Sequence, residues 1–247
     1  MTAEEPWRII LAAEGPSDLR RIEQLVDHFL TGASEGDVDL DKIRRFEKFD
    51  GQPYIKITTI PVLAKERSLN VRYAPGGSKK GDGGTLRALY QILQKDKVLD
   101  PRTVIVWARD DDGGPEKREY AIQARESLPS TTPILLAIAS ECGEAWVIAG
   151  WQPETKADNE KLRKWRQKLG FEPHRHPERL SHKENVPKDA KAVLADLFDN
   201  DHEKEASALL SAVNSNSGAP EACGLLAFRK EVETWISGRT GDAGACP

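Results

Sequence analysis

Val104-Ile105-Val106-Trp107-Ala108-Arg109-Asp110-Asp111-Asp112-Gly113-Gly114 is the stretch on which the fold turns. Its apolar opening, Val104 to Ala108, reads as a strand buried on both faces, as the interior of a parallel sheet requires. Three successive carboxylates and a glycine pair follow. Ligands in open α/β sheets bind beyond the carboxyl ends of the strands, so Asp110 and Asp112 stand where a site is expected. Side chains alternate along extended backbone, which turns Asp110 and Asp112 one way and Asp111 the other. Two carboxylates about 4 Å apart repel by roughly 4 kcal/mol at an effective dielectric of about 20. A proton, an arginine or a divalent cation relieves such repulsion. The triplet alone leaves two readings open: a cation site, or a solvated acidic turn with Arg109 as counter-ion.

Upstream, Arg8 to Ala13 is another apolar run, followed by the turn Glu14-Gly15-Pro16-Ser17-Asp18, in which Ser17 suits a helix N-cap. Leu19, Ile22, Leu25, Val26, Phe29 and Leu30 then recur on one helical face. Glu14 thus has the same station as Asp110, a strand's carboxyl end, although an acid ahead of a helix also suits the helix dipole. Ile43 to Phe49 suits a short helix, and Tyr54 to Ile60 alternates like an edge strand. Residues 62–84 read as a long loop with Arg67, Arg72, Lys79 and Lys80 among Gly76, Gly77, Gly81, Gly83 and Gly84. It lacks the Gly-Lys-Ser/Thr ending of a P-loop, and is either a mobile loop or a phosphate contact.

Thr85 opens a helix with Leu86, Leu89, Tyr90 and Leu93 in one stripe, and residues 116–126 form another. Ile134 to Ala139 is a further buried strand, with Glu144 and Trp146 at the opening of the helix beyond it. Strand and helix alternate through residues 8–150, which predicts an α/β fold, a mostly parallel sheet flanked by helices. Past residue 150 the apolar groups Leu162–Leu169, Val193–Phe198, Leu209–Val213 and Leu225–Ile236 predict helices. Residues 151–237 are expected to form a C-terminal helical layer packed on the core, with Pro187 in the first turn of one helix. Residues 238–247 read as a flexible tail.

A net charge of −4, with 31% charged residues, excludes a basic protein that coats DNA but leaves room for a local basic groove. Cys142, Cys223 and Cys246 have no metal-ligand spacing and suit reduced thiols in a cytoplasm. The acidic start Met1 to Glu5 is not a signal peptide, and no apolar run approaches the roughly 18 residues of a membrane span. A cytoplasmic protein without a membrane partner is expected.

Acids stand beyond three strands: Glu14, Asp110 with Asp112, and Glu144, with Glu141 as its rival. Oxygen ligands unaccompanied by Cys or His suit Mg²⁺ or Mn²⁺, so Glu14, Asp110, Asp112 and Glu144 are expected to hold metal together. Such an ion activates a water and stabilises the leaving oxygen in phosphodiester hydrolysis.

Ala13-Glu14-Gly15, then Val106 through Asp110-Asp111-Asp112-Gly113, resembles the TOPRIM domain of topoisomerases, primases and related nucleases. Glu144-Ala145-Trp146 is similar to the Glu-x-Trp element after the next strand in RloB-like and related TOPRIM-like proteins. Several of those, like the OLD-type nucleases, belong to bacterial phage-defence loci. The resemblance covers roughly residues 8–150. It implies a TOPRIM-like catalytic core and a Mg²⁺-dependent nuclease acting on DNA or RNA. Glu14 would be a metal ligand or general acid/base, Asp110 and Asp112 ligands, and Glu144 the acid that completes the site. Trp146 would pack and position its helix, and Lys188 would neutralise transition-state charge. The implied partners are a nucleic acid substrate and an ATPase or other defence-system subunit; a homo-oligomer is compatible with the same reading.

The chain carries no tyrosine-bearing topoisomerase domain, no primase zinc module and no ATPase, which points to a small nuclease or the effector of a larger system. The alternative is a non-catalytic partner or regulatory subunit that retains the fold. A nucleic-acid groove would draw on Lys79, Lys80, Arg87 and Lys188. His174 and His176 read as part of a solvated loop rather than a zinc site.

Overall fold

The computed structural model describes residues 5–33, 39–70, 82–215 and 217–240. Its first half runs β1 (Trp7–Ala13), α1 (Pro16–Gly32), α2 (Leu40–Ile43), β2 (Arg44–Phe46), β3 (Ile55–Lys56), α3 (Ile60–Glu66) and α4 (Asp82–Lys95). It continues with β4 (Thr103–Asp110), α5 (Pro115–Glu126), β5 (Ile134–Ala139) and α6 (Glu144–Ala149). The remainder is helical: α7 (Lys156–Leu169), α8 (Ala190–Phe198), α9 (His202–Val213), α10 (Ala219–Ala222) and α11 (Leu225–Thr240).

The five strands form one sheet in the order β2-β1-β4-β5, and every pairing is parallel. β2 flanks the start of β1 and β3 flanks its end, on the edge away from β4. The expected α/β class, a mostly parallel sheet flanked by helices, is therefore observed. The chain leaves β1 toward one side of the sheet and returns as β4 on the other. The carboxyl ends of β1 and β4 thus border a topological switch point, where such sheets open a crevice.

Strand alternation divides the core in two. Ile9, Leu11, Ala13, Val104, Val106, Ala108, Leu135, Ala137 and Ala139 face one layer, built from α1, α6 and the helices after residue 150. Ile10, Ala12, Ile105, Trp107, Ile134, Leu136 and Ile138 face the other, built from α3, α4 and α5. Each fully buried Ile, Leu or Val side chain contributes about 1.5–3 kcal/mol, so both layers are held firmly. Close approach matters at Gly150, where a Cβ would stand 1.7 Å from the Ala208 carbonyl oxygen; α6 and α9 pack there backbone to backbone. β5 ends the sheet but is buried along its length, and arginines satisfy its carbonyls: Arg118 donates to that of Ile138 at 2.8 Å, and Arg125 to that of Ile134 at 3.4 Å.

Several boundaries differ from expectation. Residues 40–43 are helical and 44–46 are strand, where a helix over 43–49 was expected. The alternation from Tyr54 to Ile60 yields only the two-residue β3. Ile57–Thr59 then coil into a 3-10 turn, and Pro61 sits in the first turn of α3, where its missing N–H does no harm. That helix occupies part of the expected loop 62–84. Gly83 and Gly84 belong to α4, which begins at Asp82 rather than Thr85, and a Cβ on Gly83 would meet the Tyr120 carbonyl at 2.6 Å. Arg72, Gly76, Gly77, Lys79, Lys80 and Gly81 lie outside the described residues, as does Cys246.

Gly15, not Ser17, is the N-cap of α1, and its N–H donates to Asp18 Oδ2 at 3.0 Å. Asp189 caps α8 by accepting from the N–H groups of Lys191 and Ala192, so Pro187 precedes the helix instead of opening it. α11 runs to Thr240, past the start of the expected tail. Among the described residues no helix is long and apolar enough to cross a membrane.

Candidate active site

The crevice at the carboxyl ends of β1 and β4 is where the expected acids gather, in two groups set by strand parity. Arg109 follows Ile105 and Trp107 in alternation along β4, and Glu14 is the first residue past the end of β1. They pair, Arg109 Nε to Glu14 Oε1 at 3.4 Å. Burial pushes the Glu14 carboxyl above its ordinary range, against the pull of Arg109 and with help from the charges of Asp112 and Asp18.

Asp110 has the opposite parity and faces the layer of α1 and α6 with Ala108. Here a buried guanidinium organises the acids. Arg21, 8% exposed, donates from Nη2 to Glu144 Oε1 at 3.0 Å and from Nη1 to Asp18 Oδ1 at 3.4 Å. Burial alone would raise the Glu144 carboxyl, but the charge and hydrogen bond of Arg21 outweigh it and hold it below the ordinary range. Asp18 stays raised, because burial exceeds the help from Arg21 and the Gly15 N–H. Among the described residues Asp110 has no such partner. Burial first, then the charges of Glu144, Asp18 and Glu14, push its carboxyl up to about 8, with Arg21 the opposing influence. Asp18, Arg21, Arg109, Asp110, Gly143 and Trp146 line one narrow cleft. Cys142 is buried beside this group, and its thiol is pushed far up by burial and by Glu144 and Asp110, which leaves it neutral.

The acidic turn does not continue the strand alternation. β4 stops at Asp110, and Asp112 and Gly113 take left-handed backbone at φ 49° and 71°. Asp111, 6% exposed, turns inward, and its Oδ1 accepts from the N–H groups of Gly113 at 3.0 Å and Glu141 at 2.8 Å. Asp112 pairs with Lys117 on α5. Asp110 and Asp112 therefore do not point the same way, as extended backbone would have required.

Of the rival acids after β5, Glu144 is the one buried in the carboxylate group, while Glu141 pairs with His182 at 3.4 Å. Trp146 packs as expected: its Nε1 donates to the Cys223 carbonyl at 2.8 Å, and its ring stacks on Phe228 at 6.0 Å. Lys188 is exposed over the Phe171 ring and makes no described contact with the acids. Lys191, almost one turn on, is the lysine whose charge helps to lower the Glu144 carboxyl. Arg87 donates to Ser127 Oγ at 2.9 Å, past the end of α5 and so at the opposite end of the sheet from the acids. His174 is buried against Trp151 rather than solvated, and burial lowers its pKa; His176 is exposed.

Asp18 and Arg21 are the members that sequence reading did not select. Asp18 and Arg21 carried a signal: with Ile22 and Leu25 they fall at i, i+3, i+4 and i+7 on the apolar stripe of α1. Among the described residues no three His, Cys, Asp or Glu side chains are grouped so as to hold a metal ion. Glu14, Asp110, Asp112 and Glu144 influence one another by charge, but three of the four face a cationic side chain. No family model matches this chain, and neither curated proteins nor solved structures gave a match.

Proposed function

We propose that this chain is a Mg²⁺- or Mn²⁺-dependent nuclease of TOPRIM-like character that hydrolyses phosphodiesters in DNA or RNA, serving as an effector in bacterial phage defence. One observation carries the chemistry. Asp18 and Glu144 pair with one guanidinium, that of Arg21, and Asp110 stands within reach of their charges at a switch-point crevice, an excess of two negative charges when all three acids are ionised. A hard divalent cation matches that excess in charge and that donor set in chemistry. Asp110, Glu144 and Glu14 are the acids that would hold it, while Asp112 stays with Lys117. When bound, the cation supplies an activated water and charge neutralisation at the leaving oxygen. The chain's own residues orient the acids: Arg21 fixes Glu144, Asp111 fixes the turn after β4, and Trp146 fixes the helix that carries Glu144. The phage-defence role and an ATPase or other defence-system partner rest on the resemblance of the three motifs alone.

A second reading, a non-catalytic partner that keeps the fold, is favoured by the way Arg21 joins Glu144 and Asp18, since a built-in cation needs no metal. Incubation with plasmid DNA and with tRNA in Mg²⁺ or Mn²⁺ separates the two. The nuclease reading expects cutting that chelation abolishes and that Asp110→Ala and Glu14→Ala each reduce at least about 100-fold. Cutting that survives both substitutions removes the assignment. No cutting of either substrate leaves the partner reading.

A further inference from the structure

We infer that His182 and Glu141 form a proton-transfer dyad at the turns that follow β4 and β5, with His182 as general base for the hydrolysis. The inference rests on the nuclease reading above and adds a residue pair to it. Glu141 sits at φ 65°, left-handed backbone that disfavours a side chain and recurs at functional sites. Its N–H is tied to Asp111 Oδ1 at 2.8 Å, the same oxygen that holds the Gly113 N–H. One buried carboxylate therefore fastens the turn after β4 to the turn after β5. The Glu141 carboxylate lies against Gly113, where a Cβ would stand 2.5 Å from Oε1; a side chain there would drive Glu141 away.

His182 arrives from a distant part of the chain. Leu180, 2% exposed, anchors its loop in the core, and the Ser181 N–H donates to the Lys188 carbonyl at 2.8 Å. His182 Nδ1 then lies 3.4 Å from Glu141 Oε2, with the two side chains 28% and 27% exposed. A freely solvated pair contributes little and gives no reason to hold a glutamate in strained backbone. A carboxylate that orients an imidazole gives one. With Nδ1–H donating to Glu141, Nε2 keeps its lone pair.

In the step, Nε2 takes a proton from the attacking water as the water oxygen bonds to phosphorus. The bond from phosphorus to the leaving alcohol oxygen breaks, and that oxygen takes a proton from solvent. The imidazolium returns its proton to solvent, so one water is consumed per bond cut. Glu141 touches no reacting atom and is a positioning residue.

The test is cleavage of DNA and RNA oligonucleotides in Mg²⁺ by the full chain and by His182→Gly, His182→Gln, Glu141→Gln and Asp110→Asn. Both His182 variants should cut about 100-fold more slowly with an unchanged unfolding midpoint, and added imidazole should restore the glycine variant alone. Glu141→Gln should lose less, about tenfold, in kcat rather than KM. Wild-type rates in the His182 variants, or a slow glycine variant that imidazole leaves unchanged, overturn the dyad. If Asp110→Asn is inactive in that same assay, the nuclease reading survives the dyad's failure. A wild-type chain that cuts neither substrate overturns both. Should His182→Gly fail to fold, the rate of His182→Gln decides alone.

Discussion

Replacing Arg21 with methionine should destabilise the protein by about 3–5 kcal/mol near neutral pH, the cost of breaking a buried ion pair from one side. Arg21 is the single guanidinium between Glu144 and Asp18, and burial keeps water from replacing it. Methionine retains most of the stem's apolar volume, so the loss reports charge. The pH dependence carries the sign. Glu144 is held below its ordinary value of 4.5, so its pairing stabilises the fold above that value and is lost as pH falls through the lowered one. Without Arg21, Glu144, Asp18 and Asp110 can recover part of the loss by taking up protons. The deficit of the variant should therefore shrink in mild acid, and Glu144→Gln on the same background should recover part of it. Urea unfolding across pH measures this, and a loss below about 1 kcal/mol would mean that Arg21 does not organise the site.

Asp110→Asn should act in the opposite direction. The Asp110 carboxyl titrates at about 8 in the folded chain against an ordinary 3.8, so the folded state holds a proton that the unfolded state has released. The stability this proton confers is complete below 3.8 and is lost as pH rises through about 8. Asparagine mimics the protonated carboxyl at every pH. The variant should match the wild type below pH 3.8, draw ahead as pH rises through the interval up to about 8, and exceed it by about 1–3 kcal/mol at alkaline pH, a figure reduced for the carboxyl's partial exposure. Mg²⁺ should raise the wild type selectively and close the gap, because a cation relieves the crowding that asparagine removes. Unfolding free energies at three pH values, with and without Mg²⁺, provide the check. A difference that does not change with pH would contradict the crowding of Asp110 by its neighbours.

What was legible in the sequence follows from what determines each element. β1, β4 and β5 are apolar runs with no room for another reading, and parity along them placed Asp110 on one face before any coordinates. Parity failed one turn later because it assumes extended backbone, and the chain turns left-handed at Asp112. The alternation at Tyr54 to Ile60 misled because Pro61 and the packing of Ile57 and Ile60 favour a coil into α3. A charge on a helix is usually solvated, so Arg21 carries a weak signal in the sequence: its place beside Ile22 on the buried stripe. Lys188 lies ahead of the Asp189 cap of α8 and faces the Phe171 ring, and the lysine whose charge reaches Glu144 is Lys191, itself paired with Glu184 at 2.7 Å. His182 lies 41 residues from Glu141, and nothing local announces their meeting.

The most direct measurement of the central claim, that the acids at the ends of β1, β4 and α6 act together on a hard cation, is Mn²⁺ titration followed by electron paramagnetic resonance. It compares the wild-type chain with Asp110→Asn near neutral pH. Saturable binding in the wild type that weakens at least about tenfold in the variant is the predicted result. No saturable binding, or binding that asparagine leaves unchanged, would contradict it.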